Sequence, residues 1–326
     1  MQFSVDSLDI DVTGEIAAIG TAIRDTVQQT LRRRGAVVAV SGGIDSAACA
    51  ALCVHALGAE RVQLVALPEA SSSPESLALA TELADALGAD MLVDDLTAAL
   101  TGAGCYDRQI DAIRQAVPEY GDGWKHKLSM PSILEGSRLN VTRLTVEDPA
   151  GTQRTVRMPP AAYLQLVAAT NYKQRLRTTT AYYHADRLNF AVCGTPNRLE
   201  YDQGFFVKGG DGLADFKPIA HLYKTQVVRV AAALGVPQGI LDRTPTTDTF
   251  SLAQTQDEFY FALPYPQMDL CLFAHNHGVP ADVAAPVVGL TAEQVVRVYD
   301  DIVAKRRATA GLHVQGVLVR PVPEIH

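Results

Sequence analysis

Six consecutive residues combine groups that can bind a phosphate with a carboxylate that would repel one. They are Ser41, Gly42, Gly43, Ile44, Asp45 and Ser46. The two glycines permit backbone conformations in which successive N–H groups converge on a phosphate, and the positive end of a following helix stabilises an anion. A divalent cation between Asp45 and the phosphate would remove the repulsion. The segment therefore predicts a phosphate loop with a metal ligand; the simpler alternative is a glycine-rich turn in which Asp45 caps a helix.

Alternating strand and helix patterns surround this loop. Residues 37–40 are apolar at every position, as in a parallel strand buried on both faces. A helix is predicted over 47–57, a second strand over 62–67, a second helix over 75–87 and a third short strand over 90–93. This series predicts an α/β fold, a doubly wound parallel sheet flanked by helices, with ligands at the carboxyl ends of the strands.

Several motifs resemble one enzyme family. The loop lacks the lysine of the P-loop NTPases and instead resembles the pyrophosphate loop of the ATP pyrophosphatases, a Rossmann-like fold that cleaves ATP between the α- and β-phosphates. Pro68 and the following Ser-Ser-Pro-Glu-Ser-Leu, the Gly-Thr pair ahead of Glu200, and Gly-Phe-Phe-Val-Lys-Gly-Gly-Asp-Gly over 204–212 are similar to NAD synthetases. The chain is identified as a member of the ammonia-dependent NAD synthetase family, whose pattern covers most of 15–117 and 170–270.

The resemblance implies a site for ATP and Mg²⁺. Asp45 and Glu200 match the family's metal ligands, and Asp45 and Lys224 match its catalytic residues. Thr195 matches a nucleotide contact, and Leu67 lies at the strand end near the adenine. The implied ATP-binding residues are Ser41, Gly42, Gly43, Asp45, Ser46, Leu67, Thr195, Lys224 and Thr246.

The resemblance also implies residues for the second substrate. Lys208 and Asp215 match positions that contact the dinucleotide in the family. Arg175 and Arg177 lie in a segment similar to the family's Ala-Arg-x-Arg helix, with Gln174 where alanine is usual. Because residues two apart on a helix point in different directions, one arginine is expected to face the site and the other a dimer surface or solvent. The sequence does not decide which.

An insertion distinguishes this chain from typical ammonia-dependent NAD synthetases. Residues 118–158 are turn-rich and then predict a hairpin over 140–146 and 152–156. A lid, a specificity element and an oligomer contact remain open as its role. Within it, Lys125, His126 and Lys127 are expected to form a solvated charge cluster.

The chain is expected to form a single NAD synthetase-like domain over 1–326. A helical tail is expected over 264–326, where Lys305, Arg306 and Arg307 keep the family's basic cluster without its histidine. About 35 residues precede the first strand, too few for a glutaminase domain. Ammonia is therefore expected from solution or from a separate glutaminase.

Composition excludes several classes of protein. The 326 residues are 48% hydrophobic and 20% charged, which are globular values. The net charge of −8 argues against a nucleic-acid partner, and no apolar run has the length of a membrane span. The N-terminus lacks the features of a signal peptide. Five cysteines without a C-x-x-C pair predict reduced thiols and a cytoplasmic location.

The reaction implied by the family has two steps. A substrate carboxylate attacks the α-phosphate of ATP and releases pyrophosphate, and ammonia then attacks the acyl-adenylate and releases AMP. The expected carboxylate is that of nicotinate adenine dinucleotide. A ligase of the same fold for another carboxylic acid is the alternative, suggested by the insertion and the altered tail. A non-catalytic nucleotide-binding subunit is disfavoured because Asp45, Glu200 and Lys224 are all present. Family members are homodimers, so a two-fold assembly is expected.

Overall fold

The computed structural model describes residues 3–129, 142–244, 250–252, 260 and 263–323. The strands are β1 (Ala36–Ala39), β2 (Val62–Ala66), β3 (Met91–Val93), β4 (Lys125–Ser129), β5 (Arg143–Glu147), β6 (Gln153–Val156) and β7 (Ala191–Cys193). The helices are α1 (Val12–Arg24), α2 (Ile44–Leu57), α3 (Pro74–Leu87), α4 (Thr97–Gly102), α5 (Cys105–Arg114), α6 (Pro160–Leu188), α7 (Arg198–Gln203), α8 (Lys224–Ala233), α9 (Gln238–Leu241), α10 (Tyr265–Asn276), α11 (Ala281–Val288) and α12 (Ala292–His313). Short turns of other helix types span Val5–Leu8, Asp25–Thr30 and Ala59–Arg61.

A parallel sheet in the order β3-β2-β1-β7 lies at the centre of the fold, as the sequence predicts. Ala36 at the start of β1 is opposite Val62 on one side and Ala191 on the other. Strands β2 and β3 therefore lie on one side of β1, and β7 lies on the other side. Such a reversal of strand order leaves a crevice at the carboxyl ends of the strands, where ligands bind in open α/β sheets.

Both faces of the sheet are covered because its strands are apolar at successive positions. Val38 of β1 packs in a core with α1, α2 and α8, whereas Val37 points to the opposite face and packs with Ala181 and Ala185 of α6. Alternate residues of a strand point to opposite faces. The uninterrupted apolar run before the phosphate loop therefore corresponds to a strand buried on both sides.

Helix α6 links the central sheet to residues 118–158, the segment that the sequence predicts to be an insertion. It has 29 residues, about 43 Å at 1.5 Å per residue. Its C-terminal half packs on the sheet, and Leu166 near its N-terminus packs in a separate core with Leu128, Leu144 and Val146 of the insertion.

The insertion forms a small antiparallel sheet in the order β4-β5-β6. The predicted hairpin is confirmed as β5 and β6, although residues 140 and 141 lie outside the described part of the chain. The expected charge cluster is wrong for His126, which is 6% exposed. In strand β4, His126 and Leu128 share the inward face, and Lys125 and Lys127 alternate with them. Strand periodicity thus overrides the local polarity.

The C-terminal helices α10, α11 and α12 enclose a core of their own that includes Met268, Leu272 and Val298. Helix α12 ends at His313, and residues 314–323 form neither helix nor strand. The helical tail is therefore shorter than the predicted 264–326. Among the described helices, none has both the length and the apolar character needed to span a bilayer.

Candidate active site

A cavity of about 500 Å³ lies at the carboxyl ends of β1, β2 and β7. Each strand contributes residues from the loop that follows it: Ser41 after β1, Leu67 and Pro68 after β2, and Thr195 after β7. Helix α6 lines another side through residues from Tyr163 to Ala181. The cavity thus lies at the carboxyl ends of the strands, where the sequence predicts the ligand, and at the switch in strand order that the structure shows.

The phosphate loop has a backbone that requires glycine. Gly42 has a φ of +71°, and a Cβ there would lie 2.6 Å from the carbonyl oxygen of Ser76. The Ser46 hydroxyl donates to the Gly43 carbonyl at 3.0 Å and accepts from the Ser41 amide at 3.3 Å. Gly42 itself is set back from the cavity, while Ser41, Gly43, Asp45 and Ser46 line it.

Four residues from three elements converge beside this loop. The Lys224 ammonium forms an ion pair with the Asp45 carboxylate, and the Asn197 amide donates to the other Asp45 oxygen at 3.3 Å. Asn197 caps α7 by accepting from the Glu200 amide at 3.1 Å, and the Glu200 carboxylate accepts from the Asn197 backbone at 3.0 Å. The capping box thereby places Glu200 near Asp45, which lies 155 positions earlier in the chain.

The electrostatics of this group fit a cation. Burial, and then the neighbouring Asp45 carboxylate, raise the pKa of Glu200 to about 8, because two carboxylates in a poorly solvated site repel each other. A divalent cation would relieve that repulsion. Within the described residues, no group of three or more His, Cys, Asp or Glu side chains could hold a metal ion. Mg²⁺ suits a two-carboxylate site, since phosphates and waters complete its octahedral shell.

Lys224 is held by a residue that the sequence did not reveal. The buried Asp269 carboxylate of α10 accepts from the backbone amides of Lys224 at 3.3 Å and of Thr225 at 2.8 Å, capping α8. Burial raises the pKa of Asp269 to about 6. A lysine in the first turn of a helix opposes the helix dipole; here Asp269 and Asp45 offset that charge, and Lys224 is only 3% exposed.

The two candidate arginines of α6 point differently, as expected. Arg177 lines the cavity, and its Nε donates to the Leu67 carbonyl at 3.3 Å. Arg175 is exposed, and its Nε donates to the Lys208 carbonyl at 3.2 Å. Arg177 is therefore the arginine that faces the cavity.

Lys208 and Asp215 lie outside the cavity lining. The Lys208 ammonium donates to the carbonyls of Gly311 and Val314 at 2.9 and 2.6 Å, at the end of α12. The Asp215 carboxylate accepts from the Val192 amide at 2.7 Å and the Tyr182 hydroxyl at 3.1 Å. Their substrate-binding roles stay predictions, as does that of Thr246, which lies outside the described residues.

Other cavity residues were missed by the sequence reasoning. Asp211 lines the cavity and accepts from the Val207 amide at 2.7 Å; in the sequence it stands out only as part of a glycine-rich motif. Arg243 donates to the Gly42 carbonyl at 3.2 Å and the Ser76 hydroxyl at 3.0 Å. Nothing in the local sequence distinguishes an arginine that supports a loop 201 positions away.

A buried ion pair includes Lys173, which neighbours the cavity-lining residues of α6. The Lys173 ammonium of α6 is 3.0 Å from the Glu69 carboxylate, and the side chains are 1% and 0% exposed. Tyr106 donates to the second Glu69 oxygen at 2.7 Å, and Lys173 also donates to the Ser71 hydroxyl at 3.3 Å. This ion pair connects α6 to the loop that follows β2.

Comparison with known proteins gives consistent matches. The model of the NAD synthase family matches residues 15–114 and 136–308 and leaves 115–135, including β4, unmatched. An NH3-dependent NAD+ synthetase of Mesorhizobium japonicum is 57% identical over 311 residues, 95% of this chain and 98% of that protein. That of Rhizobium rhizogenes is 53% identical over 319 residues, 98% of this chain and 96% of that protein.

Solved structures share the fold. The NH3-dependent NAD synthetase from Campylobacter jejuni aligns with a TM-score of 0.62 at 18% identity, covering 95% of this chain and 100% of that one. The NMN synthetase from Francisella tularensis aligns with a TM-score of 0.64 at 20% identity, covering 95% and 99%. At these identities the likeness concerns the fold alone.

Proposed function

This chain belongs to the NAD synthase family, and on that premise we propose that it is an NH3-dependent NAD+ synthetase. It would amidate nicotinate adenine dinucleotide to NAD, with ATP and ammonia as co-substrates and AMP and pyrophosphate as products. The observation that carries the proposal is the identity to curated NH3-dependent NAD+ synthetases along nearly the whole chain. The reaction forms a C–N bond, so the enzyme is a ligase.

The first step activates the substrate carboxylate. A carboxylate oxygen attacks the α-phosphorus of ATP, the bond from that phosphorus to the bridging oxygen of the β-phosphate breaks, and pyrophosphate leaves. We place the adenosine against Leu67, Thr195 and Arg177, and the departing pyrophosphate on the loop of residues 41–46. Backbone N–H groups and the N-terminus of α2 would stabilise its charge without reorganisation.

Asp45 and Glu200 are the proposed holders of Mg²⁺. The half-buried Asp45 and the buried Glu200 both line the cavity, and burial together with the Asp45 carboxylate raises the pKa of Glu200. When bound, Mg²⁺ would neutralise phosphate charge and help to orient the triphosphate. In its absence, Lys224 compensates Asp45.

Lys224 is the proposed catalytic cation of the chain itself. Its ammonium lies in the cavity lining, and Asp269 fixes the helix turn that carries it. A buried ammonium beside the phosphate loop would stabilise the negative charge that develops on the leaving pyrophosphate. Positioning and charge stabilisation account for this chemistry without a covalent nucleophile on the protein.

The second step delivers nitrogen to the acyl carbon. Ammonia attacks that carbon, the C–N bond forms, the bond from carbon to the phosphate oxygen breaks, and AMP leaves with the electron pair. We assign Asp211 to attract the ammonium ion, because its carboxylate lines the cavity. The bound ammonium ion first loses one proton to give ammonia, and the nitrogen loses a second proton after it attacks; each proton passes to that carboxylate or to solvent.

The remaining assignments concern the larger substrate and the assembly. We propose that Arg175, Lys208 and Asp215, which lie outside the cavity lining, contact the distal part of the dinucleotide. We further propose a two-fold homodimer, one catalytic domain over 1–326, and ammonia supplied from solution or by a separate glutaminase.

The test is a product assay with purified protein, Mg-ATP and ammonium. Nicotinate adenine dinucleotide is compared with no acid, with nicotinate mononucleotide and with simple carboxylates, and both AMP and amide product are measured. Formation of NAD only with the dinucleotide supports the proposal. Amide formation only with another acid would support the same-fold ligase, and no turnover with any acid would indicate a non-catalytic nucleotide-binding protein.

A further inference from the structure

One wall of the cavity is apolar and comes partly from the insertion. Leu128 of β4 and Phe250 line the cavity, together with Tyr163 and Val167 from the first turns of α6. Leu128 is 2% exposed and Phe250 is 7% exposed. One residue of this wall, Leu128, belongs to the stretch that the NAD synthase family model does not match. The insertion is therefore part of the active-site cavity of this chain.

A network behind the wall fixes it in place. His126 shares the inward face of β4 with Leu128, and its Nδ1 lies 2.8 Å from the Tyr120 hydroxyl. The His126 ring meets Phe250 edge to face, with centroids 5.7 Å apart, and its backbone carbonyl accepts from Leu252 at 3.1 Å. Burial lowers the pKa of His126 to about 3. The His126 imidazole behind the wall is therefore neutral and adds no charge that would attract water.

The apolar boundary continues to the helix that carries Glu200. Phe205 lines the cavity, and its amide donates to the Glu200 carbonyl at 2.8 Å. The Phe205 ring stacks on Tyr260 with centroids 4.6 Å apart, and the Tyr260 hydroxyl donates to the Gln203 carbonyl at 2.9 Å. Aromatic surface thus lies next to the proposed metal ligand Glu200, in the same cavity.

An acyl-adenylate can be lost to water. If a water oxygen attacks the acyl carbon, the bond to the phosphate oxygen breaks, AMP leaves with the electron pair, a proton passes to solvent, and the original acid is regenerated. One ATP is then cleaved to AMP and pyrophosphate without formation of the amide. A water molecule beside an apolar wall lacks hydrogen-bond partners, so such a wall disfavours water at that position.

We propose that the wall formed by Leu128, Val167 and Phe250 excludes water from the acyl-adenylate, so that ammonia is the acceptor. Leu128 is its specificity-determining residue, contributed by the insertion. This inference rests on the proposed NAD+ synthetase function. It gives the insertion a role in coupling ATP cleavage to amide formation.

The test measures the ratio of AMP to NAD produced at saturating ammonium, with Leu128→Ala against Leu144→Ala. Leu128 and Leu144 are direct partners across β4 and β5, and they are 2% and 0% exposed. Both substitutions remove the same atoms. Leu144 serves as the control because it is not in the cavity lining. A second variant, Val167→Thr, adds a hydroxyl to the wall at nearly constant volume, so it tests the idea even if Leu128→Ala folds poorly.

The wild-type protein should give a ratio of AMP to NAD near one. In Leu128→Ala the ratio should rise about threefold or more, since the truncation opens space on the scale of a water, about 30 Å³. Val167→Thr should raise it in the same direction, and Leu144→Ala should leave it near one at a comparable loss of stability. A ratio near one in both wall variants, whatever their kcat, would overturn the inference. A wild-type protein that forms no NAD would instead refute the proposed function.

Discussion

Breaking the buried ion pair between Lys173 and Glu69 should destabilise the protein far more than removing an exposed pair. Both side chains are almost completely shielded from water, and their charged atoms lie 3.0 Å apart. The substitution Lys173→Met leaves the Glu69 carboxylate with the Tyr106 hydroxyl at 2.7 Å as its described side-chain donor. The substitution Glu69→Gln leaves the Lys173 ammonium with the Ser71 hydroxyl at 3.3 Å.

The size of the effect follows from the uncompensated charge. Removing one partner of a buried pair lowers the free energy of unfolding by about 3–5 kcal/mol. The double variant Lys173→Met with Glu69→Gln buries no unpaired charge, so it should lose less than the sum of the two single changes. The coupling in the double-mutant cycle should be about 2–3 kcal/mol. Because the pair joins α6 to the loop after β2, the single variants should also raise the KM for ATP.

Urea unfolding of the wild type, both single variants and the double variant measures this coupling. The exposed pair between Arg229 and Asp9, whose side chains are 43% and 66% exposed, supplies the control, and Arg229→Gln should barely shift the urea midpoint. Single variants whose losses are small and strictly additive would refute the reasoning, because they would mean that water reaches the pair in solution.

Three further predictions concern the cavity. Replacing Lys224 by alanine should lower kcat about 10²–10³-fold, which is the effect of losing one preorganised charge-stabilising donor. The control Lys217→Ala, outside the cavity lining, should change kcat little. Equal effects of the two substitutions would contradict the role of Lys224. Asp211→Asn should raise the KM for ammonium about tenfold, equivalent to about 1.4 kcal/mol, with the KM for ATP unchanged; a change confined to ATP would refute the assignment. Because the pKa of Asp269 is raised from 3.8 to about 6, the folded protein holds this proton more tightly, and the free energy of unfolding should fall as pH rises between those values. In Asp269→Asn that slope should be shallower by urea unfolding, and an unchanged slope would contradict burial as its cause.

The sequence predicts the parallel sheet and the phosphate loop because both depend on local pattern. An apolar run buried on two faces, a Ser-Gly-Gly turn and an alanine-rich helix lie within about twenty consecutive residues. The convergence of Asp45, Glu200 and Lys224 came from family motifs, since residues so far apart carry no local signal of contact.

Other features depend on tertiary contacts that pattern alone does not encode. Asp269 caps α8 from another helix, and Glu69 pairs with Lys173 across 104 positions; in the sequence each is an ordinary charged residue. His126 looked solvated because lysines flank it, yet strand alternation buries it. Whether Arg175 or Arg177 faces the cavity depended on the rotation of α6, which the sequence left open.

The central claim is that the substrate carboxylate is adenylated before it is amidated, and isotope transfer tests this most directly. Nicotinate adenine dinucleotide labelled with ¹⁸O in its carboxylate is turned over with Mg-ATP and ammonium, and the AMP is analysed by mass spectrometry. The account predicts one ¹⁸O in each AMP, because the oxygen that attacks the α-phosphorus leaves with it. Unlabelled AMP with ¹⁸O in pyrophosphate or phosphate would contradict attack at the α-phosphorus and with it the proposed mechanism.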